Sequence, residues 1–269
     1  MIPLDYITEW RTQAPWSENF QVEQDLVISR ALVEIFSAPV LAGSLAFRGG
    51  TALHKLYLTP PARYSEDIDL VQIEPGPAGP MMDALRNALD PWLGEAQWKQ
   101  SQGRVTFGYR FLSEDIPAIR LRVKVEINTR EHFSLLNFTK RLFSVESRWY
   151  SGHSEIKTFE LDELLATKMR ALYQRRKGRD LFDLLVGLRD ERSNPRQIVA
   201  AFREYMNREG NPVSRAMFEQ NLAEKVDNAQ FNADMSPLIR IGFEWRLAEA
   251  ARIVSKQLIS LLPGEPWKQ

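Results

Sequence analysis

The chain has 269 residues, with 35 Lys and Arg against 35 Asp and Glu, so its formal charge is zero; 44% is hydrophobic and 26% charged. These values exclude a disordered or low-complexity chain, and the length suits one large domain or two modest ones, each able to bury a core. The absence of Cys removes disulfides, thiolate metal sites and cysteine nucleophiles, and only three His are present (His54, His132, His153), so any metal would be a hard cation held by carboxylates.

The N-terminal MIPLDYITEWRTQAPW has no basic region followed by an apolar one, and no run of about 18 apolar residues occurs elsewhere, so a cytoplasmic protein is expected. Residues 22–37 set Val22, Leu26, Ile28, Leu32, Ile35 and Phe36 in a broad helical stripe, with Glu23, Asp25 and Glu34 on the remaining surface; this predicts a packed amphipathic helix. A loop containing Gly43 and Ser44 leads to AFRGGTALHKLYL, where Gly49 and Gly50 precede Thr51, the expected N-cap of a helix carrying Leu53, Leu56 and Tyr57. Pro60 and Pro61 end that helix, and EDIDLVQI reads as a strand. Asp67, Asp69 and Val71 share one of its faces, and Ile68 and Leu70 the other.

EPGPAGP is a breaker-rich loop, and MMDALRNALDPWL after it is helical. Two more strands follow. RVTFGYRFL alternates Val105, Phe107, Tyr109 and Phe111 with polar or small residues. IRLRVKVEIN sets Leu121, Val123, Val125 and Ile127 against Arg120, Arg122, Lys124, Glu126 and Asn128, so Glu126 sits on a cation-lined face. From about residue 160 the pattern is helical, in LDELLATKMRALYQ, DLFDLLVGL and weaker segments to about residue 262. A domain boundary is expected near residue 155, with Gly152 to Glu155 as the softest stretch; the alternative is one tightly packed unit.

Three features carry chemistry: Gly49-Gly50-Thr51 opening a helix, Asp67-x-Asp69 at a strand start, and Glu126 on a neighbouring strand. Each also has a plain structural reading: a tight turn, a solvated strand entry, and an ion pair from Glu126 to Lys124 or Arg122. Together they suit phosphoryl transfer from a nucleotide. Backbone amides of a Gly-Gly turn at a helix start can approach a triphosphate closely. Aspartates at i and i+2 on one strand face, joined by a third carboxylate, form an oxygen cage for one or two Mg²⁺ ions, and without a cation those carboxylates would repel one another. Lys55 is a further candidate for the triphosphate, or a solvated lysine. Between Lys168 and Arg179 six of twelve residues are basic, Lys168, Arg170, Arg175, Arg176, Lys177 and Arg179, with no acid among them. Arg120, Arg122, Lys124 and Arg130 would add to this patch if their strand faces the same cleft, and Tyr173 offers a ring for stacking. A salt-sensitive surface for an RNA backbone is expected, with a solvated basic helix as the alternative.

FRGGTALHKLY followed by RYSEDIDL resembles the signature of the nucleotidyltransferase toxin family typified by the abortive-infection protein AbiEii, a branch of the DNA polymerase beta-like superfamily; the likeness covers roughly residues 45–190. Gly50 stands 17 positions before Asp67, a longer gap than the common superfamily pattern, and Gly-Gly-Thr replaces the usual Gly-Ser. The resemblance implies an α+β fold: a mixed β-sheet nucleotidyltransferase core with flanking helices over 1–155, then a mainly helical domain over 156–269 contributing Lys168 and Asp180 to the cleft. It implies an Mg²⁺-dependent (or Mn²⁺-dependent) nucleotidyltransferase toxin of a toxin–antitoxin or phage-defence system. Asp67 and Asp69 would bind the metal, with Glu126 as third ligand or base. Gly49, Gly50, Thr51, Lys55 and Ser65 would meet the nucleotide. Lys168 would neutralise phosphate charge, and Asp180, or Asp183 one turn later, would orient it or the acceptor.

In some relatives the hydroxyl at the place of Ser65 is where an antitoxin silences the enzyme by phosphorylation. The implied partners are an NTP, the 3′ end of tRNA or another RNA, facing Arg170, Arg175, Arg176, Lys177 and Arg179, and a cognate antitoxin; no membrane is implied. The product would block translation. The alternatives are a protein or small-molecule acceptor, or a catalytically lost module that binds RNA or a partner. Nothing in a pure binding module requires Asp67, Asp69 and Glu126 together.

Overall fold

A computed structural model describes residues 2–268, and the chain divides into two compact units, one running to Phe159 and one from Glu160. The first unit contains α1 (Leu4–Trp10), α2 (Asn19–Ser37), α3 (Pro39–Ser44), β1 (Leu45–Arg48), α4 (Gly49–Leu56), β2 (Asp67–Gln72), α5 (Gly79–Leu93), β3 (Gln97–Ser101), β4 (Arg104–Leu112), β5 (Arg120–Asn128), β6 (Phe138–Glu146) and β7 (Ser151–Phe159). The strands form one mixed seven-stranded sheet in the order β3-β4-β5-β2-β1-β7-β6. Two of its pairings, β2 with β5 and β1 with β7, are parallel, and the rest are antiparallel. The alternation in β4 and β5 has its physical cause here: Val105, Phe107, Tyr109, Val123, Val125 and Ile127 are fully buried, while Arg104, Arg110, Arg120 and Arg122 stand on the opposite face.

The central helix α2 packs against β5, β6 and β7 and is buried nearly all round, which corrects the expected polar surface for Glu23 and Asp25. Asp25 is 5% exposed and accepts hydrogen bonds from the indoles of Trp10 (3.0 Å) and Trp16 (3.3 Å). Glu23 is 1% exposed and accepts from the Glu114 amide at 2.9 Å, and burial pushes its carboxyl up to about 7. The unfolded chain ionises Glu23 from its ordinary value of 4.5 upward while the folded carboxyl keeps its proton to about 7, so stability from this group is lost as pH rises across that window. Glu23→Gln should leave the urea midpoint near the parent's at pH 5 and raise it above the parent's at pH 8. Parallel curves for the two proteins would remove Glu23 as the cause.

Further corrections concern edges and ends. Strands β1, β3, β6 and β7 and the short α3 were not expected. β3 is exposed along its whole length, and in β7 burial alternates but the inward positions are Gly152, Ser154, Ile156 and Thr158, mostly small or polar residues that leave no apolar period in the sequence. The expected break at Gly152 to Glu155 lies inside β7, whose pairing with β6 continues to Phe159. Thr51 is not the N-cap of α4; Arg48 holds that place, and Thr51 lies inside the first turn.

The second unit is helical: α6 (Leu161–Gln174), α7 (Gly178–Gly187), α8 (Pro195–Arg208), α9 (Arg215–Val226), α10 (Ala229–Ala233), α11 (Leu247–Gln257) and a 3₁₀ turn (Ile259–Leu261). Asn194 and Ser214 cap α8 and α9 through their side chains, with Pro195 at the first position of α8, and Phe182, Phe202 and Phe218 fill the interior. Among the described residues no helix is long and apolar enough to cross a membrane.

Candidate functional site

Parallel pairing of β2 with β5 sets Asp67 beside Lys124 and Asp69 beside Glu126, so the three carboxylates share one sheet face on adjoining strands. The Lys124 ammonium lies 3.0 Å from Asp67 Oδ2 and 3.5 Å from Glu126 Oε2, and Arg104 Nε lies 3.4 Å from Glu126 Oε1. Partial burial alone would lower the Lys124 pKa; the charge and hydrogen bond of Asp67, helped by Glu126 and Asp69, outweigh it and the net shift is upward. The ion pair with Lys124 that the sequence allowed for Glu126 is therefore present, while Arg122 is not its partner. Among the described residues the Asp69 carboxylate makes no hydrogen bond or ion pair, and it lies against the Gly49 α-carbon.

Among the described residues no three acidic or imidazole side chains enclose an ion as they stand. The donor set nevertheless fits a hard divalent cation: three carboxylates on one face, one of them unpartnered, and a lysine ammonium drawn between the other two where positive charge is needed.

Helix α4 begins beside these carboxylates, with no side chain capping its N-terminus. Its two glycines serve different needs. Gly49 has φ +84°, and a Cβ there would lie 2.3 Å from Asp69 Oδ2. A Cβ on Gly50 would meet the Arg63 guanidinium at 2.3 Å and Ser65 Oγ at 3.1 Å. Thr51 Oγ1 lies 2.9 Å from Ser65 Oγ and donates to the backbone carbonyl of Asp67, tying the helix start to the strand entry. Lys55 is turned to Asp25 Oδ1 and Ser29 Oγ, both at 2.9 Å, so its charge is compensated within a cavity of about 130 Å³ that Thr51, Arg63 and Ser65 also line.

Arg63 was missed in the sequence. It is 2% exposed, and its Nη1 donates to the Tyr64 carbonyl at 2.8 Å. A signal for it existed: Arg63, Ser65, Asp67 and Asp69 stand at i, i+2, i+4 and i+6, the spacing that puts side chains on one side of an extended chain.

In the second unit Lys168 Nζ lies 2.9 Å from Asp183 Oδ2 and 3.7 Å from Asp180 Oδ1, and both aspartates are fully buried. Arg175 clasps Asp180 through two bonds of 2.7 and 2.8 Å. Lys225, 3% exposed, donates to the backbone carbonyls of Leu172 and Tyr173, and burial pulls its pKa down to about 8. The basic run is therefore largely paired within its own unit: Lys168 and Arg175 as above, Arg170 with Glu209 at 3.1 Å, and Lys177 with Asp234 at 3.5 Å. Arg179 donates its backbone amide to Asp234, and the Tyr173 ring packs on Phe218; among the described residues neither the Arg176 nor the Arg179 guanidinium forms an ion pair, and Arg176 is exposed.

The model of the nucleotidyl transferase AbiEii toxin family, type IV toxin–antitoxin system, matches residues 30–252. Solved structures with the same fold include MenT4, a nucleotidyltransferase toxin of Mycobacterium tuberculosis H37Rv, at 16% identity over 98% of this chain and 91% of that one with a TM-score of 0.69. JHP933 from Helicobacter pylori is similar at 15% identity over 91% of this chain and 92% of that one, with a TM-score of 0.60. No curated protein matches by sequence. At such identities the structures establish the fold alone, but the family model spans most of the chain, including the Gly-Gly turn, all three carboxylates and the Lys168 cluster, and the chain belongs to the AbiEii family of nucleotidyltransferase toxins of type IV toxin–antitoxin systems.

Proposed function

We propose that the chain transfers a nucleoside monophosphate from a nucleoside triphosphate to the 3′ end of tRNA or another RNA and thereby blocks translation. What supports this most is that Asp67, Asp69 and Glu126 share one strand face beside an uncapped helix start with two glycines. Asp67, Asp69 and Glu126 would hold Mg²⁺, or Mn²⁺ in its place; such ions, when bound, acidify the acceptor hydroxyl and offset the charge of the phosphates.

The chain's own groups bind and orient around that centre. First-turn amides of α4 offer donors and a positive dipole end to phosphate oxygens, and the glycines let them come close. In the transfer the acceptor oxygen bonds to the α-phosphorus, the bond from that phosphorus to the bridging oxygen breaks, and pyrophosphate departs with the bridging oxygen. The hydroxyl proton passes to a carboxylate, for which Glu126 is the candidate. Lys168 would neutralise phosphate charge, with Asp180 or Asp183 orienting it. A phosphate on Ser65 would add about two negative charges beside Asp67 and compete with the incoming triphosphate, which gives an antitoxin a means of silencing the enzyme.

The test is label transfer with purified protein, Mg²⁺, each of the four α-labelled nucleoside triphosphates and total tRNA. Label on tRNA that disappears with chelator supports the reading. Label on protein alone points to a protein acceptor, and nucleotide binding without label on RNA overturns RNA transfer. In the same assay Gly49→Ala should cut transfer by about 100-fold, because its methyl displaces Asp69 by about 1 Å and misplacement of that size costs about this much; the strain of Ala at φ +84° lowers the melting temperature as well, so the rate is read well below it. A rate within threefold of the parent would mean that the turn does not hold Asp69.

A further inference from the structure

The sheet face that carries the three carboxylates continues outward across β5, β4 and β3, and its chemistry changes along the way. Antiparallel register sets Arg110 opposite Arg122, Leu112 opposite Arg120, and Lys99 of β3 opposite Thr106. Lys99, Arg110, Arg120 and Arg122 are all exposed, and among the described residues no carboxylate pairs with any of them. Like charges directly opposite on neighbouring strands are destabilising, so an unneutralised Arg110–Arg122 pair costs stability unless an anion lies across it. Gly108 stands beside Arg122, and a Cβ there would come within 3.0 Å of Arg122 Nε, so the glycine leaves room for the guanidinium to lie across the β4 backbone.

We infer that this strand face is the track along which the phosphate backbone of the RNA acceptor docks; the inference rests on the RNA-acceptor reading above. Arg120 and Arg122 precede Lys124 and Glu126 on the same strand and the same face. At about 3.3 Å per residue, Arg120 to Glu126 spans about 20 Å, so a chain held at the arginines is led along β5 to the carboxylates. Planar guanidinium forks match phosphate oxygens, and of the other residues on this face Gln97, Ser101 and Thr106 are polar hydrogen-bonding groups, with Leu112 the exposed apolar exception beside Arg120. A polar, cationic surface of this kind fits nucleic acid; a protein partner of comparable stability would be met by an apolar centre. The track ends where the β4–β5 hairpin turns acidic at Glu114 and Asp115. The basic run of α6 and α7, by contrast, is mostly neutralised by its own acids.

The experiment measures binding of a fluorescein-labelled single-stranded RNA and of a tRNA transcript by anisotropy from low to moderate salt. It compares the full chain, Arg110→Ala/Arg122→Ala, and Arg176→Ala/Arg179→Ala as the helical control. The strand-face pair should weaken binding at least tenfold and reduce the salt slope of log K by about 1.4, two phosphates at about 0.7 each, while the helical pair changes both little. Lys99→Ala/Arg120→Ala, which removes no facing pair, should act in the same direction and serves if the first variant misfolds. Equal binding by parent and strand-face variants overturns the inference, as does a loss confined to the helical variant. So does a parent that binds no RNA but captures an acidic protein through this face. Label transfer run on the same samples separates the two claims: RNA bound through the track without label on RNA leaves the docking surface standing and removes the reaction, whereas label on RNA with strand-face variants unaffected does the reverse.

Discussion

Asp69→Asn is expected to lower nucleotidyl transfer about 1,000-fold or more while leaving the melting temperature unchanged or slightly higher. The two halves of this expectation have one cause. Among the described residues the Asp69 carboxylate accepts no hydrogen bond and forms no ion pair, yet it stands on the same face as Asp67 and Glu126 and against the first glycine of α4. A carboxylate held there gains only a distant attraction to Lys124 and adds repulsion toward Asp67 and Glu126, so its isosteric amide should leave the fold as stable or slightly relieve it. If it is a metal ligand, losing its charge removes several kcal/mol of transition-state stabilisation, and about 4 kcal/mol is about 1,000-fold in rate. Asp67→Asn should differ on the stability side, because Asp67 also holds Lys124 at 3.0 Å. Label transfer and thermal melts on the two variants check both halves. Asp69→Asn with a rate within tenfold of the parent, or with a clearly lower melting temperature, would make Asp69 a structural residue.

The elements around this site were legible in the sequence because burial there is one-sided. In β5, Leu121, Val123, Val125 and Ile127 are inside while Lys124 and Glu126 are half-exposed, so the period of two survives intact and puts Glu126 on the correct face. The same period placed Asp67 with Asp69. What was hidden lay where burial is absent or two-sided. β3 has no buried side chain to mark a period, and α2 is buried on almost every side, so Glu23 and Asp25 looked like surface residues when they were interior ones held by Glu114, Trp10, Trp16 and Lys55. The N-cap at Thr51 failed for a different reason: its hydroxyl bonds to the strand entry, a partner distant in sequence that no local helix rule includes. Charge balance was hidden too. The run from Lys168 to Arg179 contains no acid, but its counter-charges come from Asp180, Asp183, Glu209 and Asp234, which lie outside the window in which the run looked free.

The second large effect concerns that buried cluster. Asp183→Ala is expected to destabilise the helical unit by about 3 to 5 kcal/mol, because it leaves the 8%-exposed Lys168 ammonium without its 2.9 Å partner, and removing one member of a buried pair costs about that much. Asp180→Ala should cost less than this. Its clasp with Arg175 involves a guanidinium that is half-exposed and can turn to water, and its distance to Lys168 is 3.7 Å. Hydrogen exchange of peptides from α6 and α7 reads the loss in this unit without interference from unfolding of the sheet. Replacing both members of the pair, as Lys168→Met with Asp183→Leu, should recover most of the stability, since apolar side chains of similar volume stand in for a buried ion pair at little or no cost. Activity then separates two roles for Lys168. If the lysine neutralises phosphate during transfer, the double variant is stable and inactive; if the pair only holds α6 to α7, stability and transfer return together, and the proposed catalytic role of Lys168 falls.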